Sequence, residues 1–375
     1  MNSKKNMTNY SFLLLALLSA LLLQATAAGA EKIRIIMDTD ALAEVDDQHA
    51  IAYMLFSGDH FEVEGITVNR GSDGPHRTDR DQDINDHFRE AVNVVKMCGS
   101  NVPVLKGPTG NYRQLKGDIE KSAFDGSDAV HFIIERAHAP LNRPLIVFAC
   151  GNLTNVALAL LKDPTIAPKI EIWWVGTEWP QNYACNNHAG DLDAVDALLA
   201  NPQNVAFNII PWPHGIWTNH AEIYEKMPGK GPEVSPGVPG RWGGSFTCFG
   251  DYSVELFRKG VWSGQKRRSL LDAFGFAVLK NKSWFTPTTM GAPSFKRTDP
   301  SAEEKHKYPG EWVANDSNPR KVTFWRHGRM DPVIADFWDT FNNPVLPRQP
   351  PGHSDGGQEP MKIILDTDID DCSAW

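Results

Sequence analysis

The stretch "IIMDTDALAEVDDQHAIA", residues 35–52, joins two apolar segments through a cluster of acids. The run from Ile35 to Met37 has the composition of a buried strand, and an apolar pattern resumes at Ala50. The dipole of a helix favours acids at its N-terminus, which accounts only for the last two acids of the cluster. Because close carboxylates repel one another, the cluster predicts a site for a hard cation, calcium or magnesium. The five carboxylates are Asp38, Asp40, Glu44, Asp46 and Asp47.

The chain alternates short β-rich runs with helical patterns. The predicted strands are Ile33–Met37, Val63–Asn69, Pro144–Ala149, Glu171–Gly176, Val205–Ile210 and Lys321–Trp325. The predicted helices cover about 47–57, 83–97, 127–138, 153–162, 192–200, 251–259, 270–280 and 333–341. Alternation of this kind predicts an α/β fold with a mainly parallel, Rossmann-like sheet flanked by helices. Such sheets bind ligands at the carboxyl ends of their strands, and Asp38 and Asp40 directly follow the first strand.

Two long stretches interrupt this alternation. Residues 211–250 are rich in Pro, Gly and Trp, and residues 284–320 are rich in Pro, Ser and charge. Both are predicted to be irregular loops over a compact core. Long loops of this kind serve as lids or substrate walls in some proteins and are surface insertions in others, and the sequence leaves both interpretations open.

The start of the chain has the pattern of a secretory signal peptide. Residues 1–30 combine a basic start, an apolar run and a small-residue cleavage site. The apolar run is too short for a comfortable membrane span, and no later segment has the length to cross a bilayer. We therefore expect a secreted or periplasmic protein with no membrane contact after cleavage, whose folded domain spans residues 31–343.

The end of the chain is predicted to lie outside that domain. Residues 344–360 are dominated by Pro, Gly and polar side chains, which is the composition of a linker. After it, "KIILDTD" at 362–368 repeats "RIIMDTD" at 34–40 almost residue for residue. We interpret residues 361–375 as the incomplete start of a second copy. Deletion from residue 345 onward is therefore expected to leave stability nearly unchanged.

Composition excludes one class of partner. The formal net charge is −9 and no basic stripe is present, so nucleic acid is not expected to bind. The chain has five cysteines, an odd number, without CxxC or Cys/His metal spacing. Export would permit a disulfide, but nothing in the sequence selects a pair. The oligomeric state stays open, and a homo-oligomer is compatible with the sequence.

Several motifs, taken in order, resemble those of the inosine-uridine-preferring nucleoside hydrolase family. Asp38-Thr39-Asp40 followed by Asp46-Asp47 resembles the amino-terminal signature of that family. Four later stretches resemble its Leu-Thr-Asn turn, its Asn-containing helix entry, its late His-Asp motif and its closing strand and helix. The resemblance covers roughly residues 32–343 and implies a nucleoside hydrolase-like fold. These stretches are "VFACGNLTNVALAL" (147–160), "NNHAGDLDAVDALL" (186–199), "SLLDAFGFAVL" (269–279) and "KVTFWRHGRMDPVIADFWDTF" (321–341).

The resemblance implies one bound calcium ion and hydrolysis of the N-glycosidic bond of ribonucleosides to ribose and free base. The implied calcium ligands are Asp40, Asp47, the backbone carbonyl of Cys150 and Asp272. By the same resemblance, Asp40 would also act as the general base that takes a proton from water. This chemistry is coherent, because cleavage passes through an oxocarbenium-like state and a metal activates the attacking water.

The resemblance also implies which residues hold the sugar. Asp46 and Asn187 would bind the ribose hydroxyls, with help from Asn69. Asp38 would contact the metal ligands without binding the metal itself. The substrate would be a small-molecule nucleoside.

The sequence departs from the family pattern at three places. The segment Ala41–Val45 makes the first acidic loop two residues longer than in the commonest form, so the loop must bulge and Glu44 could enter the site. Leu271 stands where many members carry a His, which in some members helps to protonate a purine leaving group, so this route is expected to be absent. Cys185 stands where the family has an acidic residue. The half of the site that binds sugar and metal is therefore better supported than the half that recognises the base.

Other residue types in the predicted loops have two interpretations. Three tryptophans could stack on a nucleobase or pack within loops, and three histidines could act as acids or be structural. They are Trp179, Trp212, Trp217, His188, His214 and His220.

Two rival functions stay open at this point. The first is a metal- and sugar-binding module on the same fold with weak catalysis, which intact ligands without nucleoside hydrolysis would favour. The second is a haloacid-dehalogenase-type phosphatase, because that class also places Asp-x-Asp after a first strand. The Asp46-Asp47 pair and the Leu-Thr-Asn turn disfavour the phosphatase.

Overall fold

The computed structural model of the protein describes seven ranges of the chain: 31–42, 44–71, 79–184, 186–211, 215–260, 263–298 and 308–347. The predicted signal peptide and the predicted second copy lie outside the described residues, so secretion stays a prediction. Within the described ranges, no helix combines the length and apolar character needed to cross a membrane.

Strands and helices alternate through most of the described chain. The strands are β1 (Ile33–Thr39), β2 (Phe61–Val68), β3 (Val104–Lys106), β4 (Leu145–Ala149), β5 (Ile170–Val175), β6 (Tyr183–Ala184), β7 (Ala206–Ile210), β8 (Ile216–Asn219), β9 (Val238–Pro239), β10 (Ser245–Phe246), β11 (Arg267–Leu270), β12 (Phe285–Gly291), β13 (Ser294–Arg297), β14 (Tyr308–Val313) and β15 (Lys321–Gly328). The α-helices are α1 (Asp46–Leu55), α2 (Arg80–Met97), α3 (Tyr112–Leu115), α4 (Ser127–Ala137), α5 (Thr154–Lys162), α6 (Asn187–Gly190), α7 (Leu192–Leu199), α8 (His220–Lys226), α9 (Phe249–Lys259), α10 (Leu271–Lys280) and α11 (Met330–Asn342).

An eight-stranded sheet forms the centre of the fold. Its strands follow the order β12-β15-β7-β5-β4-β1-β2-β3. Every neighbouring pair is parallel except β12 and β15. The predicted α/β class with a mainly parallel, Rossmann-like sheet is therefore confirmed.

Strand β1 occupies the point where the strand order reverses. From β1 the chain builds outward through β2 and β3, and it then returns to place β4 on the other side of β1. The connections that leave β1 and β4 therefore diverge to opposite faces of the sheet. Divergence of this kind opens a crevice at the carboxyl ends of the two strands, which is where open α/β sheets bind ligands.

Alternate side chains of β1 enter two different apolar layers. Ile35 and Met37 pack in the layer that contains α1, α2, α9, α10 and α11, whereas Ile36 packs in the layer that contains α4, α5 and α7. Both faces of the sheet are therefore covered. This double burial explains why strands such as Leu145–Ala149 are continuously apolar.

The predicted strands and helices each correspond to an observed element, with small shifts at the ends. Strand β1 extends two residues beyond the predicted end at Met37, because Asp38 and Thr39 still pair with β2. Helix α2 begins at Arg80 rather than at residue 83, because the Asp79 side chain accepts a hydrogen bond from the Gln82 N–H.

The prediction of two irregular loops was wrong in part. Residues 284–320 contain β12, which is the antiparallel edge strand of the main sheet, and the paired strands β13 and β14. Residues 211–250 contain β8, which pairs with β11, and helix α8. Pro287 is tolerated in β12 because an edge strand needs no complete hydrogen-bond ladder. The partners of β8 and β12 are distant in sequence, so local composition did not indicate these two strands.

The first residues of the predicted linker pack against the domain. The Val345 N–H donates to the Phe56 carbonyl at 2.9 Å, the Gly58 N–H donates to the Val345 carbonyl at 2.6 Å, and Leu346 packs on the apolar core. These contacts correct the expectation that deletion from residue 345 leaves stability nearly unchanged. We now expect deletion of residues 345–375 to lower the free energy of unfolding by about 2–3 kcal/mol relative to deletion of 348–375. Urea denaturation of the two truncated proteins measures the difference. Equal unfolding midpoints would show that these contacts contribute nothing.

Candidate active site

Buried acids surround the exit of β1. Asp40 and Asp47 are nearly inaccessible to solvent. The Thr39 hydroxyl donates to Asp47 Oδ1 at 2.6 Å, which links the end of β1 to the first turn of α1. A Cβ atom built on Gly71 would lie 2.9 Å from His87 Nε2, which is too close, and 3.4 Å from Asp40 Oδ2, which is an ordinary contact, so the His87 ring favours glycine at this position beside Asp40. The acidic loop is therefore closely packed.

The loop after β4 and the start of α10 complete the same cluster. A carboxylate oxygen of Asp47, a carboxylate oxygen of Asp272 and Cys150 Sγ all lie within 4.8 Å of one another, and all three residues are buried. Cys150 follows β4, and Asp272 lies in the first turn of α10. Two acids that are more than 200 residues apart in sequence thus meet at the carboxyl edge of the sheet.

Burial and mutual repulsion dominate the electrostatics of the cluster. The pKa of Asp272 is raised well above its ordinary value, first by burial and then by the charges of Asp46, Asp47 and Asp40. Burial and the same acids, with Asp272 foremost, raise the pKa of the Cys150 thiol. A thiol in this environment is a poor nucleophile. Buried carboxylates held together at this cost fit a site that a cation neutralises, and the oxygen donors suit a hard cation.

Asp38 lies behind the cluster in a network of neutral groups. Thr67 Oγ1 donates to Asp38 Oδ1 at 2.7 Å, and Asn155 Nδ2 donates to the same oxygen at 2.8 Å. Burial raises the pKa of Asp38 to about 7, while hydrogen bonds from Asn155, Thr67 and Asn69 oppose the rise. Asp38 thus connects the ends of β1 and β2 to α5.

The residues predicted to hold the sugar lie around these acids. Asp46 Oδ2 accepts a hydrogen bond from the Leu271 N–H at 3.3 Å, which ties α1 to α10. Asn187 Nδ2 donates to the Cys150 carbonyl at 2.5 Å and to the Val175 carbonyl at 2.8 Å. Asn69 Oδ1 accepts from the Asn152 N–H at 3.2 Å, beside Gly151. Asp46, Asn187 and Asn69 therefore each contact a segment next to the acidic cluster, and their role in holding the sugar stays a prediction.

The Cys150 carbonyl was predicted to be a calcium ligand, and this assignment stays a prediction. The structure adds two facts about Cys150. Its carbonyl already accepts a hydrogen bond from Asn187, and its thiol points toward Asp47 and Asp272.

Arg268 is a site residue that the sequence did not reveal. Its Nη2 contacts Glu44 Oε2 and lies 3.9 Å from Asp46 Oδ1. Glu44, which was predicted to be able to enter the site, is therefore held in an ion pair at its edge. Arg268 lies in β11, one residue before the motif at 269–279, which does not include it, and β11 leads directly into α10 with Asp272.

Two more residues hold the long acidic loop, and neither had a signal in the sequence. The Leu42 N–H donates to His87 Nδ1 at 3.0 Å, and Arg241 Nη1 donates to the Leu42 carbonyl at 3.0 Å. His87 Nε2 lies 3.5 Å from Asp83 Oδ1 within α2. Both polar groups of the Leu42 backbone are thus satisfied by side chains from other parts of the chain.

The aromatic and histidine candidates separate into different places. Trp179 stacks on Phe324 with ring centroids 6.0 Å apart, and Trp217 is 47% exposed. His220 packs edge-on to Phe257 with centroids 5.0 Å apart. The structure therefore gives Trp179 and His220 packing contacts. Trp212 and His214 lie outside the described residues.

His188 is enclosed by aromatic rings. Its ring centroid lies 4.8 Å from that of Phe295 and 5.0 Å from that of Trp312, and the residue is fully buried. Neither ring nitrogen has a hydrogen-bond partner among the described residues. Burial, followed by the charge of Arg297, lowers the pKa of His188 to about 3. The imidazole is therefore neutral in the folded protein at neutral pH.

This lowered pKa predicts an acid-sensitive stability. As pH falls below about 6.5, His188 becomes protonated in the unfolded chain, whereas in the folded protein it stays neutral until about pH 3. Because protonation then stabilises only the unfolded state, the free energy of unfolding falls. Between pH 7 and pH 5, His188 should lower the free energy of unfolding by about 2 kcal/mol. A His188→Phe variant should lack this contribution, while all other titrating groups stay the same. Urea denaturation of both proteins at the two pH values measures it, and equal losses would contradict it.

Comparisons with known proteins agree on one family. The chain matches the family model described as inosine-uridine preferring nucleoside hydrolase over residues 35–305. A solved plant nucleoside hydrolase is similar, with 17% identity, 84% of this chain and 100% of that chain covered, and a TM-score of 0.62. A purine-preferring ribonucleoside hydrolase from Gardnerella vaginalis is also similar, with 18% identity, 82% and 98% covered, and a TM-score of 0.59. An inosine-uridine preferring nucleoside hydrolase from Bacillus anthracis is similar too, with 15% identity, 83% of this chain and 98% of that chain covered, and a TM-score of 0.53.

A search of curated proteins found no match. At these identities the solved structures establish the fold, and the family model establishes membership.

The match and the fold together define the class of this protein, a hydrolase that acts on N-glycosyl bonds. The chain belongs to the family of inosine-uridine preferring nucleoside hydrolases. Its reaction is accordingly hydrolysis of the N-glycosidic bond of nucleosides. The binding-module alternative is not favoured, and the phosphatase alternative does not fit this family.

Proposed function

We propose that the protein hydrolyses ribonucleosides to ribose and free base in a calcium-dependent reaction. The observation that carries the proposal is that the buried carboxylates of Asp47 and Asp272 lie close together. Asp40 and Asp46 are near enough for their charges to raise the pKa of Asp272. Four carboxylates at one edge of a sheet are costly without a cation. Oxygen donors of this number and kind suit calcium.

The residues that would hold the cation are Asp40, Asp47, Asp272 and the Cys150 carbonyl. A calcium ion bound there would supply positive charge that polarises the attacking water and orients the ribose hydroxyls. This assignment rests on the family resemblance and on the burial and proximity of the carboxylates.

Asp40 is the proposed general base. Its carboxylate would take the proton from the water whose oxygen attacks the anomeric carbon, while the bond from that carbon to the base nitrogen breaks. The electron pair of the broken bond leaves with the nucleobase, which takes a proton from solvent to become the free base. Leu271 has no proton to give to that base, so this chain does not use the acid that many relatives carry at this position.

Asp46 and Asn187 are the proposed ribose ligands. Asp46 faces the cluster from the first turn of α1, where Arg268 and the Leu271 N–H hold its carboxylate. Asn187 is fixed by its two bonds to backbone carbonyls. Rigid placement of this kind reduces the entropy that substrate binding would otherwise cost. A substrate that lacks a hydroxyl would leave these polar groups unpaired.

A panel of nucleosides tests the proposal. Each ribonucleoside is assayed beside its 2′-deoxy counterpart, with untreated enzyme, with chelator, and after addition of calcium or magnesium. We expect release of ribose that stops with chelator, returns with calcium and is much slower for the deoxy substrates. Equal rates for the two sugars would refute the ribose assignment, and full activity in chelator would refute the metal.

A further inference from the structure

The thiol of Cys150 lies among the carboxylates of the proposed metal site. Cys150 Sγ lies within 4.8 Å of carboxylate oxygens of both Asp47 and Asp272. Cys150 is 1% exposed and forms no disulfide among the described residues. Its side chain is thus a buried sulfur donor that faces two buried oxygen donors.

Calcium binding does not explain this thiol. Calcium takes oxygen ligands, and the contribution expected of Cys150 is its backbone carbonyl, which any residue could offer. Soft divalent cations, in contrast, prefer thiolate ligands. The sequence alone did not show whether Cys150 offers its carbonyl or its thiol to a metal. The direction of the thiol depends on how the end of β4 packs against α10.

We propose that Cys150 gives the metal centre a sulfur ligand, so that the site also binds thiophilic divalent cations of the zinc and cadmium class through Sγ, Asp47 and Asp272. This inference rests on the proposed metal site. It extends that site from a hard-cation centre to one with a second, softer set of donors. Formation of the metal–sulfur bond releases the thiol proton to solvent.

The geometry permits both kinds of cation at one place. Three atoms that are no more than 4.8 Å apart surround a common point at roughly 3 Å or less. Metal–sulfur bonds of zinc are about 2.3 Å long and its bonds to carboxylate oxygen are about 2.0–2.2 Å, so a small inward movement of the side chains would bring these three donors to bonding distance and leave a fourth position for water. The two cations would share Asp47 and Asp272 and would therefore exclude each other.

Mutual exclusion has a functional consequence. A thiophilic cation would occupy the carboxylates that the proposed calcium ion needs, so the enzyme should lose activity at concentrations of cadmium or zinc far below that of calcium. Added chelator followed by calcium should restore activity. Inhibition of this kind would make hydrolysis responsive to soft metals in the surroundings of the protein.

Cadmium spectroscopy tests the inference without relying on activity. Chelator-treated full-length protein is titrated with cadmium, and the thiolate-to-cadmium charge-transfer band is followed in the ultraviolet. We expect the band to appear with wild type and to be absent with Cys150→Ser. The variant should still bind calcium, and its cadmium affinity should fall by at least about 10–100-fold, the loss typical even for a residue outside the ligand set. Calcium binding also shows that the variant is folded.

A control variant isolates the assignment. Cys248→Ser removes another buried cysteine outside the cluster and should keep the band. A band that persists in Cys150→Ser, or cadmium that displaces calcium without a band, would overturn the inference alone. Wild type that binds neither calcium nor cadmium would overturn the proposed metal site with it.

Discussion

An Asp40→Asn enzyme is expected to keep its fold and to lose about 10²–10⁴-fold in kcat, the usual contribution of a general base. Asparagine has the size of aspartate, so the buried space that the Asp40 side chain occupies is still filled. Its amide cannot accept the proton of the attacking water. Because Asp40 is also an implied calcium ligand, weaker cation binding would add to the loss. KM should change much less than kcat, since Asp46 and Asn187 are the proposed sugar ligands.

Steady-state kinetics at saturating calcium separates the two roles of Asp40. If calcium saturation restores turnover to near the wild-type value, Asp40 is a ligand and is not the base. If turnover stays low while the variant binds calcium and unfolds at the same temperature as wild type, the base assignment stands. Near-normal turnover at ordinary calcium would refute both roles.

The elements that local sequence could predict are those whose own residues decide their structure. Strand β1 is apolar and ends in acids, and α1 opens with Asp46 and Asp47, which its dipole favours. Edge strand β12 is different. Its central residues are exposed and polar, and it contains Pro287. Its strand conformation comes from pairing with β15, more than thirty residues later, which no local pattern reveals.

The candidate site shows the same division. Family motifs indicated Asp40, Asp47 and Asp272. The structure brings Asp47 and Asp272 together, and Asp40 is close enough for its charge to raise the pKa of both Asp272 and Cys150. Motifs did not indicate Arg268. Arg268 stands one residue before the motif at 269–279, but the motif does not include it, and its role follows from its contacts with Glu44 and Asp46.

Asp272→Asn should have opposite effects on function and on the stability of the cation-free protein. Asp272 is a buried carboxyl group whose pKa is raised by burial and by the charges of Asp46, Asp47 and Asp40. Because its ionised form is disfavoured in the folded state, the free energy of unfolding falls as pH rises above the pKa of the unfolded chain, and at neutral pH Asp272 destabilises the cation-free fold. Asparagine removes the repulsion at constant volume. In chelator the variant should therefore be at least as stable as wild type.

Function should respond in the other direction, because calcium loses a charged ligand. Wild type should gain about 2.7 kcal/mol in the free energy of unfolding when calcium is at 100 times its Kd, and the variant should gain little at the same concentration. Turnover should fall by at least about 100-fold, since mutation of even groups outside the ligand set lowers metal affinity or activity by about 10–100-fold.

Asp251→Asn is the matched control, because it also removes an acid from the first turn of a helix, that of α9, away from the cluster. It should lose slightly in stability and keep its calcium response. Urea denaturation of the three proteins in chelator and in calcium measures both effects, and an undiminished calcium response in Asp272→Asn would remove Asp272 from the ligand set.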